Sequence, residues 1–176
     1  MIQFYSRSRS HKELSNFFVA SITILDITFI TGEHAFHYFK YTIVSDALEK
    51  QEGAKDRVKT LRDYADGFKG VSPSFETPNL AKKAGGKKGL RLTPREIGIW
   101  NNESSGVQHM ICRAKIRQHP DVFTCLCDTQ EEYLLHFELG RQPFWGGRID
   151  KKSGEMIGEN RLGLIWMNIR KSIRQG

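Results

Sequence analysis

Four residues at helical spacing hold the densest chemistry in this chain. Glu33, Phe36, His37 and Lys40 stand at i, i+3, i+4 and i+7, so a helix puts them on one face. A carboxylate, an imidazole and an amine then border one pocket. The carboxylate can carry protons. A partly desolvated lysine has a depressed pKa and becomes a nucleophile toward an imine or carbonyl carbon. A solvated, ion-paired face is the plainer reading of the same spacing. Against it, the segment is otherwise aromatic and follows directly on a strand pattern and Gly32.

Two tryptophans could stack on a base or a sugar. Trp100 follows a capped apolar segment, where filling the core is the alternative, and Trp145-Gly146-Gly147 lies in a glycine-rich loop, where an indole can also peg the loop down. The stretch Lys82-Lys83-Ala84-Gly85-Gly86-Lys87-Lys88-Gly89-Leu90-Arg91 has five positive charges and no negative one. It reads either as a solvated mobile loop or as an element that tracks a nucleic-acid backbone. Without an aromatic it would position rather than read a sequence. The spacing of a P-loop is missing. Cys112, Cys125 and Cys127 are odd in number, and C-x-C matches neither a zinc knuckle nor a redox dithiol. They are expected to be reduced and structural, and no metal or cofactor is expected.

Several elements must position these groups. Val19–Thr31 alternates small polar with β-branched residues across a break at Leu25-Asp26, which predicts two short strands. After Gly32 the apolar period turns helical through Leu48, and Lys55–Asp66 suggests a second, more exposed helix. Gly67–Leu90 lacks periodicity and is expected to be a long surface excursion. Thr93-Pro94-Arg95-Glu96 forms a capping box that starts a helix. A loop is expected at Asn101–Ser105, then a further helix through Val107, Met110, Ile111 and Ala114 that stops at His119-Pro120. Tyr133–Phe137 is a strand or buried turn, Gly140–Glu159 a loop, and Asn160 caps a last helix whose buried stripe is Leu162, Ile165, Trp166 and Ile169. Helices outnumber strands without regular β-α alternation, which makes the fold class α+β and helix-rich.

The 176 residues fit one domain with its own core, given 39% apolar residues and eleven Phe. A formal charge of +7 raises the odds of a polyanionic partner. No apolar run approaches the ~20 residues needed to span a bilayer. A soluble, cytoplasmic monomer with no membrane partner is expected.

In order along the chain, Ile2-Gln3-Phe4-Tyr5, Leu14-Ser15-Asn16-Phe17, Gly32-Glu33-His34 with Phe36 and Lys40, Trp100 before Met110 and Ala114-Lys115, Phe144-Trp145-Gly146, and Gly158-x-Asn160-Arg161-Leu162-Gly163 with Met167 and Arg170 resemble the motifs of the NADAR (YbiA-like) superfamily. The resemblance implies one helix-rich NADAR domain over 1–176, with a basic surface excursion at about 67–91. It implies cleavage of the N-glycosidic bond between a ribose derivative and a base. The expected reaction removes ADP-ribose from guanine in nucleic acid through a lysine Schiff base on Lys40, with Glu33 moving protons. Ser15, Asn16, His34, Phe36, Trp100, Gln142, Trp145, Gly146, Asn160, Leu162 and Gly163 would contact substrate. Lys82, Lys83, Lys87, Lys88 and Arg91 would contact nucleic acid. Direct hydrolysis with Glu33 activating water is an alternative route, a phosphoribosylaminopyrimidine of the riboflavin pathway an alternative substrate, and non-catalytic binding of ADP-ribose or NAD an alternative role. One departure bears on the chemistry: the family places Asp three residues before W-G, where this chain has Gln142, which cannot act as a base. The acid ahead of it is displaced, with His136 and Glu138 as candidates.

Overall fold

The computed structural model describes residues 1–175. In chain order the elements are β1 (Ile2–Phe4), β2 (Val19–Ile24), β3 (Ile27–Thr31), α1 (Gly32–Leu48), α2 (Lys55–Ala65), α3 (Pro78–Gly85), α4 (Pro94–Gln118), α5 (Pro120–Asp128), β4 (Leu134–His136), β5 (Arg148–Ile149), β6 (Met156–Ile157) and α6 (Arg161–Gln175), with 3-10 turns at Lys12–Leu14 and Asp66–Phe68. The architecture is α+β and helix-rich. Two compact units form, one from residues 19–114 and one from residues 1–18 with 115–176.

Residues 19–114 begin with the antiparallel hairpin β2–β3. Leu25 and Asp26 turn it with φ of 49° and 62°, the left-handed pair that a two-residue turn needs to match strand twist. Ala20, Ile22 and Ile24 face inward while Val19, Ser21 and Thr23 face out, so the alternation seen in the sequence is the burial pattern. The strand runs straight into α1. Thr31 ends β3 and caps the helix, its side chain accepting from the His34 amide at 3.4 Å. Every residue from Gly32 to His37 is buried. α2 and α3 pack along the helix. Tyr41, Tyr64, Phe68 and Phe75 interlock beneath them, Phe68 and Phe75 with centroids 4.4 Å apart.

Two expectations for this unit are corrected. Residues 67–91 are not an aperiodic excursion. Thr77 caps α3 with Pro78 in its first turn, and Ala81, Ala84 and Gly85 are buried; an eight-residue helix is too short for its apolar period to stand out. Asn101–Ser105 is not a loop but part of the 25-residue α4. Trp100, Ser104, Val107 and Ile111 are all buried at i, i+4, i+7 and i+11. Burial of that stripe outweighs the poor helix propensity of Asn, Ser and Gly, a few tenths to about 1 kcal/mol per residue. The capping box forms as read: the Glu96 amide donates to Thr93 Oγ1 at 3.3 Å, and the Thr93 amide to Glu96 Oε2 at 2.8 Å.

In the other unit β1 and β4 pair in parallel, Ile2 opposite Leu134 and Phe4 opposite His136. His119-Pro120 does end α4, but Pro120 at once starts α5, since proline suits a first helical turn as well as it stops an earlier one. The loop at 140–159 contains the small β5–β6 ladder. Leu162, Trp166 and Ile169 form the buried stripe of α6, while Ile165 is only half-buried. The Trp166 indole donates to the Leu14 carbonyl at 2.9 Å. Arg170 is buried and donates to the Thr129 hydroxyl at 2.6 Å and to the Glu132 carbonyl at 2.9 Å, satisfying carbonyls just past α5.

Candidate active site

The first two turns of α1 carry the reactive groups. Glu33 is 9% exposed and accepts at Oε1 from His37 Nε2 at 3.0 Å, one turn on. The His37 Nδ1 is buried without a partner. A buried ring nitrogen left without a partner costs about 1–3 kcal/mol. Its neighbour is the backbone of α3: a Cβ on Gly85 would stand 2.0 Å from this nitrogen. The position tolerates only glycine unless something moves.

Lys40 meets the same residue from the other side. Its Nζ donates to the Gly85 carbonyl at 2.8 Å and lies 5.5 Å from the Tyr41 ring centroid. Among the described residues no carboxylate pairs with it, and burial holds its pKa below that of an ordinary lysine. Removal from water penalises the ammonium form, and no counter-charge offsets that penalty. Phe36 and Trp100 pack edge to face with centroids 4.9 Å apart and are 9% and 7% exposed. Most of the Trp100 surface therefore does fill the core.

His34 has another job. Its Nε2 lies 2.6 Å from the Phe75 carbonyl and its Nδ1 2.7 Å from the Thr31 hydroxyl. A carbonyl can only accept, so Nε2 carries the hydrogen and Nδ1 accepts from Thr31. Burial lowers its pKa, in keeping with a neutral ring. Its two nitrogens tie α1 to Thr31 and to Phe75.

Lys82, Lys83, Lys87, Lys88 and Arg91 are exposed, yet the turn that bears them is pinned. Tyr41 Oη donates to the carbonyls of Ala84 at 3.3 Å and Leu90 at 3.0 Å, and Tyr64 Oη donates to Ala84 at 3.0 Å. Together with Lys40, these hydroxyls occupy carbonyls that the end of α3 leaves without helical partners.

In the other unit Ser15 is buried, its hydroxyl accepting from the Phe17 amide at 3.2 Å, and Asn16 is half-buried. Lys115 is fully buried beneath this turn and donates to the carbonyls of Glu13 at 2.6 Å and Ser15 at 2.8 Å. The Asn160 side chain does not cap α6. With φ of 50°, Asn160 turns its carboxamide onto β4, accepting from the His136 amide at 2.9 Å and donating to the Leu134 carbonyl at 2.8 Å, as a neighbouring strand would. The second amide hydrogen goes to the Tyr133 hydroxyl at 3.1 Å. Asn160 is therefore a fixture of this turn, which corrects its expected cap. Gly163 is required by close packing, since a Cβ there would stand 2.2 Å from the Leu134 carbonyl. Leu162 is buried and its amide donates to the Trp145 carbonyl at 3.0 Å. Trp145 is half-buried, and its ring meets Phe144 edge to face at 4.9 Å. Gln142 is exposed. Glu138, one of two candidates for the displaced acid, lies against Gly146, where a Cβ would be 3.1 Å from its Oε2. The other candidate, His136, sets its ring against Phe4 with centroids 5.3 Å apart.

Two roles were not assigned from the sequence: His37 as the partner of Glu33 and Gly85 as the neighbour of both His37 and Lys40. The spacing placed His37 on the reactive face, but nothing local distinguished it from His34. Gly85 could be assigned only through contacts distant in sequence.

The sequence matches the NADAR domain over residues 3–174. The chain belongs to the NADAR domain family. It is 26% identical over 174 residues to the N-glycosidase YbiA of Shigella flexneri serotype 5b (strain 8401), covering 98% of this chain and 88% of that protein. The same identity and coverage hold for the N-glycosidase YbiA of Escherichia coli (strain K12). The NMR structure of the E. coli protein YbiA has the same fold, with a TM-score of 0.63 at 24% identity over 99% of this chain and 84% of that one. Within the matched residues, Glu33, His34, Phe36 and Lys40 fall on the first turns of α1, and Trp145-Gly146 interlocks with Asn160 and Leu162 through backbone bonds. Among the described residues this NADAR chain has no helix long and apolar enough to cross a membrane.

Proposed function

We propose that this protein is an N-glycosidase that removes ADP-ribose from guanine in nucleic acid through a Schiff base on Lys40. The observation that carries this reading is the Lys40 amine: withdrawn from water, free of any carboxylate among the described residues, and held by a single carbonyl. A lysine kept for its charge would be paired. One kept as a nucleophile needs its lone pair, which desolvation favours.

In this mechanism the ribose ring opens to an imine between its anomeric carbon and the exocyclic nitrogen of guanine. The neutral Lys40 amine adds to that carbon, and the displaced electron pair goes to the guanine nitrogen, which is protonated. Collapse of this adduct breaks the bond to guanine and leaves the sugar as an imine on Lys40. Water then adds to the carbon, the bond to Lys40 breaks, and ring closure gives free ADP-ribose. Glu33 delivers and takes back the proton through the carboxylate oxygen that His37 does not engage. The exposed lysines at the end of α3 would contact the backbone phosphates of nucleic acid, which a mononucleotide-sized substrate lacks.

The test is incubation with ADP-ribosylated guanine DNA in the presence of borohydride. A covalent ADP-ribosyl adduct, lost in Lys40→Ala, is expected. Release of ADP-ribose without a trappable adduct would point to direct hydrolysis. Activity only on a phosphoribosylaminopyrimidine would replace the nucleic-acid substrate, and binding without release would make the protein a reader rather than an enzyme.

A further inference from the structure

Resting on that reading, we propose that His37 is a positioning residue for Glu33, fixing which carboxylate oxygen is free to move the proton. Glu33 is buried on α1 with its Oε1 held by His37 Nε2 at 3.0 Å, and among the described residues no other hydrogen bond engages its side chain. Without that bond the carboxylate could rotate about its last torsion, a broad two-fold well, and either oxygen could face the reacting atoms. The imidazole cannot simply swing away. Its other edge lies against Gly85, where even a methyl carbon would be 2.0 Å from Nδ1. Its ring also packs against Phe36 at 5.5 Å and Phe68 at 5.7 Å between centroids.

The arrangement explains why a buried nitrogen goes without a partner. Gly85 has no side chain and so offers Nδ1 no side-chain donor; its carbonyl is an acceptor and is engaged by Lys40. The ring is wedged by shape on one edge and bonded to the carboxylate on the other. Gly85 thereby links the two reactive groups: the ring that holds Glu33 and the carbonyl that holds Lys40 meet at one residue.

The experiment compares the wild type, His37→Ala and His37→Gln in steady-state release of ADP-ribose, with borohydride trapping and thermal unfolding alongside. Gln keeps an N–H donor on a side chain of similar reach. In His37→Ala, kcat should fall by roughly 10- to 100-fold with KM within about twofold, because proton transfer is impaired and not binding. Trapping should remain measurable, because Lys40 is intact, and His37→Gln should recover most of the rate. Full kcat in His37→Ala overturns the inference. So does an equal loss in both variants, because a donor alone would then not suffice, and so does a loss matched by the unfolded fraction. A wild type inert toward every ribosylated base overturns the glycosidase reading itself, and the two failures are thereby distinguished.

Discussion

Gly85→Ala is the sharpest test of how the reactive helix is braced. The added carbon would stand 2.0 Å from His37 Nδ1, 2.1 Å from Cγ and 2.3 Å from Cε1, more than an ångström inside ordinary contact. Neither neighbour yields freely, since the ring is wedged among aromatics and α3 is pinned by Tyr41, Tyr64 and Lys40. Overpacking of this kind costs about 1–3 kcal/mol. Alanine regains up to about 0.5–1 kcal/mol over glycine in a helix, and less here, because Gly85 is the last residue of α3. A net loss of roughly 1–2 kcal/mol should lower the melting temperature by about 2–8 °C for a chain of this size. Gly106→Ala is the internal control. That residue lies within α4 with nothing within 4 Å of a Cβ, so the same substitution should raise stability by about 0.5–1 kcal/mol. Activity should fall further than stability. Displacing α3 moves the carbonyl that holds Lys40, and an ångström of misplacement can cost about 10²-fold in rate. Thermal unfolding and single-turnover kinetics on both variants decide the matter. A Gly85→Ala protein as stable as Gly106→Ala and fully active would refute the reasoning.

Three further outcomes follow from the same geometry. Because burial lowers the Lys40 pKa, the neutral amine is populated at lower pH than in an exposed lysine, so the rate should rise with pH through a value below the ordinary lysine range; an ascending limb at or above that range would show the amine to be solvated. Arg57 holds Glu96 below the usual glutamate range through a paired hydrogen bond, a stabilisation present above the unfolded-state value and lost as pH falls through the folded one. Acid unfolding should therefore be less steep in Glu96→Gln, and an unchanged acid limb would discount the pair. Replacing Lys82, Lys83, Lys87 and Lys88 with Ser should weaken binding to ADP-ribosylated DNA and flatten its salt dependence, with little effect on a mononucleotide substrate; unaltered DNA affinity and salt slope would leave these lysines as a solvated face.

What the sequence made legible follows the range of the forces involved. The β2–β3 hairpin, α1, the capping box at Thr93–Glu96 and the buried stripe of α6 are each specified by neighbours within a few residues, and each forms where the pattern places it. The segment at 67–91 and the continuity of α4 were not legible, because Ala81, Ala84 and Ser104 owe their burial to partners far along the chain. The candidate site divides the same way. Helical spacing alone put Glu33, His37 and Lys40 on one face. That His37, and not His34, holds the carboxylate depends on Thr31 and Phe75 occupying the His34 ring, and Phe75 lies 41 residues away. Asn160 misled for a related reason: an Asn ahead of a helix suggests a cap, but its left-handed backbone sends the carboxamide to β4 instead.

The two units also differ in when they can form. Residues 19–114 are contiguous, so every contact within them is available once that stretch has left the ribosome. The other unit draws on both sides of it. Lys115 reaches the Ser15 carbonyl across 100 residues, and the Trp166 indole reaches Leu14 across 152. Closing such long loops carries an entropic cost before any contact is gained. During synthesis the opening segment waits in turn for Lys115, which holds Ser15, for β4, which pairs with β1, and for α6, whose Trp166 holds Leu14, while α1 and its neighbours can already be packed. A chain stalled before α6 would thus leave Leu14 without the Trp166 indole, and that intermediate is the one expected to engage chaperones or aggregate.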